Sequence, residues 1–95
     1  VKALAFEPAA TLGLQDRGLL REGYKADLNV IDYDRLALHA PTVRYDLPAG
    51  GRRLDQEASG FAATIVSGTV IRRNDQPTGQ LPGRLVRGCQ AAPAA

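Results

Sequence analysis

The densest run of β-branched and apolar positions lies between Phe61 and Arg73, where Phe61-Ala62-Ala63-Thr64-Ile65-Val66 and Thr69-Val70-Ile71-Arg72-Arg73 flank Ser67-Gly68. Such arms favour strands, and a two-residue link ending in glycine suits the primed turns whose twist matches paired strands. The segment predicts an antiparallel hairpin turning at Ser67-Gly68, with Asn74 to Pro77 closing its second arm. A second strand is predicted over Ala26-Asp27-Leu28-Asn29-Val30-Ile31-Asp32, whose alternation puts Ala26, Leu28 and Val30 on a buried face and Asp27 and Asn29 on the other. Asp27 is expected to cap turn amides rather than stand solvated on the strand. Between the turns Asp16-Arg17-Gly18 and Glu22-Gly23, Leu19-Leu20 predicts a very short strand.

Helical signals are confined to the first residues. Val1 to Phe6 is apolar and alanine-rich with no capping residue before it, so it is expected to be the end of a helix that starts earlier in a longer polypeptide. Glu7 to Gly13 predicts a second short helix, with Pro8 preorganised for the first turn and Gly13 free to terminate it in the left-handed conformation. From Leu38 to Gly60, Pro41, Pro48 and Gly50-Gly51 interrupt the pattern, and extended loop with turns is expected. Thr78 to Gly83 reads as irregular, and Gln90 to Ala95 as a frayed tail. Gly13, Gly18, Gly23 and Gly68 are read as turn glycines, and no internal repeat is visible.

Composition adds mostly exclusions. The chain has 95 residues, 44% hydrophobic and 23% charged, which fits one small globular unit and not a disordered or fibrous chain. Twelve basic against ten acidic residues give a net charge of +2, too weak and scattered to hold a nucleic-acid backbone against its counterions. No apolar run approaches the roughly 20 residues that span a bilayer, so neither nucleic acid nor membrane is an expected partner. One cysteine, Cys89, precludes an internal disulfide and makes a reducing cytoplasm the expected location. Cys89 itself is expected to be an exposed thiol without a role.

The candidate chemistry is equally sparse. His39 is the one histidine, and with Cys89 it cannot supply the three or four ligands of a zinc site. Ser59 and Ser67 lack the G-x-S-x-G elbow of a serine nucleophile, and no phosphate-binding G-x-x-x-x-G-K occurs. Arg52-Arg53 and Arg72-Arg73 read as solvated charges guarding strand edges, with an anionic partner as the other reading. Metal, cofactor and catalytic residues are therefore expected to be absent from this chain.

The order Pro8-Ala9, Leu12-Gly13-Leu14, Asp16-Arg17-Gly18, Gly23, Ala26-Asp27-Leu28-Asn29-Val30-Ile31-Asp32 and the hairpin Ile65 to Val70 resembles the C-terminal end of metal-dependent amidohydrolases. Asp46-Leu47-Pro48-Ala49-Gly50-Gly51-Arg52-Arg53-Leu54, Asp75-Gln76-Pro77-Thr78-Gly79 and Leu81 to Gly88 look like the branch of N-acyl-D-amino-acid deacylases, or D-aminoacylases. The resemblance implies a fold that is mainly β with a short N-terminal helical segment, part of the composite β-sandwich domain of metal-dependent hydrolases. Residues 1–14 would be the end of a barrel helix plus a short helix, 15–88 the C-terminal part of the sandwich, and 89–95 a tail. Pro8, Gly13, Gly18, Gly23, Asp27 and Gly68 would be structural positions.

Zinc is implied for the parent enzyme, with its ligands and catalytic aspartate on barrel segments outside this sequence, so the chain itself would be catalytically silent. Its expected partners are the N-terminal strands and the catalytic barrel of the parent chain, or, without them, further copies of itself through uncovered strands. A self-contained β-rich binding module without enzymatic activity is the alternative.

Overall fold

The computed structural model describes residues 1–93. It is mainly β with a short N-terminal helix, and every strand pairing in it is antiparallel. Helix α1, Phe6–Thr11, is followed by a long irregular stretch and then β1, Leu28–Ile31. A 3-10 turn at Tyr33–Arg35 leads to β2, Ala37–Leu38, and β3, Thr42–Arg44. Another 3-10 turn at Pro48–Gly50 precedes β4, Arg53–Asp55, and β5, Ala58–Ser59. The chain then runs through β6, Phe61–Val66, β7, Thr69–Arg73, and β8, Gln76–Pro77.

The predicted hairpin is present with the predicted turn. β6 and β7 are the central strands of a four-stranded sheet ordered β1-β6-β7-β8, with Val66 paired to Thr69 across the connection. Ser67 and Gly68 have φ of 50° and 79°, the two positive values that a primed turn requires. A Cβ built on Gly68 would meet nothing within 4 Å, so the preference for glycine there is conformational and not steric. Asn74 and Asp75 repeat the same geometry, φ 49° and 65°, and return the chain into β8. Gln76-Pro77 thus adds a fourth strand where the sequence suggested only an end to the arm.

The first turns of the chain hold one α-helix and not two. Residues before Phe6 form hydrogen-bonded turns, with both Leu4 and Ala5 donating to the Val1 carbonyl, and no side chain caps the helix at Ala5. Pro8 occupies the first turn of α1, where it forfeits no intrahelical bond, and Gly13 takes φ 74° just beyond the helix end. Leu19-Leu20 is not a strand: lying between Gly18 and Gly23, it finds no partner ladder, and Leu20 is 85% exposed. In β1, Leu28 is half-buried but Val30 is 50% exposed, so the expected inner face is covered at one end only.

Where extended loop is expected from Leu38 to Gly60, the chain from Ala37 to Ser59 forms a pair of two-stranded ribbons, β2 with β5 and β3 with β4. The prolines and glycines sit at the corners and leave the paired segments free, which is why they read as breakers but do not prevent pairing. Gly60 joins this arm to the hairpin. A Cβ there would come within 2.6 Å of the Leu36 backbone, and φ is 101°, so the crossing admits no side chain.

Little of the chain is enclosed. Ala9 is the one buried hydrophobic residue among those described, packed beside Gly18, and no large side chain is fully buried. The accessible surface is 7765 Å², against about 5,300 Å² for a compact protein of this mass. The radius of gyration is 15.9 Å, against about 12 Å for a compact domain of this length. The apolar faces are therefore formed and left open.

Because the Gly68 penalty is conformational, Gly68→Val should destabilise the hairpin by about 1 kcal/mol or more. Amide exchange across Phe61–Arg73 should then accelerate about fivefold or more. Gly68→Asn, which tolerates the left-handed region, should change it far less.

Candidate functional site

The chemistry-bearing residues gather where the β3/β4 ribbon faces the hairpin. A groove of about 710 Å³ there is lined by His39, Arg44, Arg53, Asp55, Arg72 and Asp75, among others. Pairing sets the ribbon's side chains: Val43 stands opposite Leu54, and Arg44 opposite Arg53. Alternation puts the two arginines and Asp55 on the groove side and Val43 and Leu54 on the other. Like charges directly opposite each other destabilise a ribbon, so Arg44 and Arg53 need counterions.

Carboxylates on the same arm provide them. Arg53 donates to both Asp46 oxygens at 2.7 Å, a two-pronged guanidinium–carboxylate pair, and approaches Asp55 at 3.6 Å. Arg44 pairs with Asp55 and reaches Glu57 at 2.9 Å. The guanidinium of Arg53 holds the Asp46 carboxyl below its ordinary pKa, and Asp46 in turn raises that of Arg53. All these groups lie near solvent, where ion pairs contribute little each and are screened by salt. The network fixes the shape of the arm more than its stability.

Two further aspartates hold the hairpin by its backbone. Asp75 accepts the Gly60 N–H on one oxygen and the Phe61 N–H on the other, each at 3.1 Å, at the point where the arm enters β6. Asp27 accepts the Ser67 N–H at 2.9 Å, and the neighbouring Ala26 carbonyl accepts from Gly68 at 3.0 Å, at the other end of the hairpin. Asp27 therefore caps the hairpin tip. A third carboxylate, Asp16, is held by the adjacent Arg17 at 2.8 and 3.2 Å and lies below its ordinary pKa for that reason.

The residues singled out from sequence are dispersed over the fold. Pro8, Gly13 and Gly18 surround α1, and Gly23 lies next to Pro93, while Asp27 and Gly68 meet at the hairpin tip. Cys89 packs its Cβ against Gly13 and is exposed. Gln90 exchanges backbone hydrogen bonds with Gly13 and Gln15, so the segment read as a frayed tail is tied down at its first residue, and residues 94–95 lie outside the described residues. Arg53, read from sequence as a solvated edge charge, is instead paired with Asp46, and no role was read for Asp75, Arg44, Asp55 or Glu57. The signal available was the charge pattern Arg44, Asp46, Arg53, Asp55, Glu57 on two segments of matching alternation.

Chemically the groove is occupied by its own side chains. Asp55 and Glu57 face guanidinium groups, and both Asp75 oxygens are taken by backbone N–H groups. Among the described residues no three His, Cys, Asp or Glu side chains converge as metal ligands, so the residues present do not fit a zinc site. No helix among them is long and apolar enough to cross a membrane.

The described residues thus form antiparallel sheets with a short leading helix, and the carboxylates of the groove pair with guanidinium groups and backbone N–H groups of the same chain. The family model that matches this chain, over residues 1–72, is described as the amidohydrolase family, and the chain belongs to that family. No curated protein and no solved structure gives a significant match.

Asp75→Ala should leave two N–H groups unpartnered at the arm's root and cost about 1–3 kcal/mol, while Asp75→Asn should recover part of that loss by keeping one acceptor and tolerating positive φ. Hydrogen exchange at Gly60 and Phe61 reads both. The Asp46–Arg53 pair sets a pH dependence whose sign follows from the depressed Asp46 pKa: its contribution is complete above the ordinary carboxylate value of about 3.9 and is lost as pH falls through the lower folded value. Amide chemical shifts of β3 and β4 should move toward unpaired values below that pH, and in the same direction in about 1 M salt, where screening extends to about 3 Å.

Proposed function

We propose that this chain is the C-terminal, non-catalytic part of a metal-dependent amidohydrolase that cleaves non-peptide amide C–N bonds, and that its substrates are N-acyl-D-amino acids. The observation that carries the reading is membership of the amidohydrolase family in a chain whose Asp27, Asp46, Asp55 and Asp75 serve backbone capping and internal ion pairs. The D-aminoacylase specificity is supported by the run Asp46 to Leu54 and by the sequence from Asp75 to Gly88, which look like that branch. Asp46 and Arg53 of the first run form the two-pronged pair that shapes the arm.

In this reading the four-stranded sheet and its arm join strands from the N-terminal end of the enzyme to make a composite sandwich, and α1 packs on the catalytic barrel. Zinc and its ligands would belong to that barrel, outside the residues of this chain. The contribution of these 95 residues is to supply one sheet of the sandwich and the surfaces that hold the barrel in place.

The test is an assay of free amine with N-acetyl-D-amino acids and zinc. The 95-residue chain alone should give no turnover above a boiled control. The polypeptide extended by the in-frame codons upstream of Val1 should hydrolyse the D-enantiomers in preference to the L-enantiomers. Turnover by the short chain would overturn the non-catalytic role, and an extended enzyme indifferent to these substrates would overturn the specificity.

A further inference from the structure

We draw no further inference here: the strongest candidate, the apolar groove of about 530 Å³ between the hairpin and the 77–83 segment, lined by Val66, Ile71, Pro77, Leu81 and Pro82, is an uncovered face, and nothing in the structure shows what covers it.

Discussion

The antiparallel ladder of β6 and β7 carries β1 on one side and β8 on the other, and the arm of residues 37–59 hangs from its first residue. Each backbone hydrogen bond contributes modestly in net terms, and a hairpin alone is marginal in water. Two aspartates make this ladder more than a hairpin. Asp27 ties the tip to the strand before it, and Asp75 ties the root to the turn that follows it. Both work because a carboxylate is a strong acceptor for N–H groups that have no ladder partner at a strand end. Gly60 and Gly68 serve the same ends by conformation, one where two backbone segments cross and one where the chain must reverse.

What this ladder does not do is enclose a core. Leu4, Leu20 and Leu81 are each at least 85% exposed, and among the described residues the one buried hydrophobic side chain is an alanine. Burial of apolar surface is the dominant favourable contribution to folding, and here it is largely unrealised. The sheet faces are formed but uncovered, and the ladder ends in open edges at β1 and β8, which leaves apolar surface and backbone hydrogen-bonding groups facing solvent.

The hairpin was legible because all its determinants are local: β-branched arms and a Ser-Gly turn are adjacent in sequence. The capping by Asp75 was not, because its two partners lie 14 and 15 residues earlier and the local sequence Asn74-Asp75 reads only as a turn. The ribbon of β3 and β4 was hidden by Pro48 and Gly50-Gly51, which do mark a corner but say nothing of the pairing on either side of it. Val30 was assigned to an inner face by alternation alone, and alternation gives the face without showing whether anything lies against it. Leu19-Leu20 shows the same limit, since two apolar residues cannot form a strand without a ladder to join.

Scanning calorimetry of the isolated chain, at a concentration where sedimentation shows a monomer, tests most directly whether these residues order a ladder but close no core by themselves. A closed domain of this length would absorb about 65 kcal/mol in one cooperative transition. The open sheet predicts a broad transition well below that enthalpy. A sharp two-state transition with the full enthalpy, in a monomer, would show instead that the chain covers its own apolar faces and closes a core.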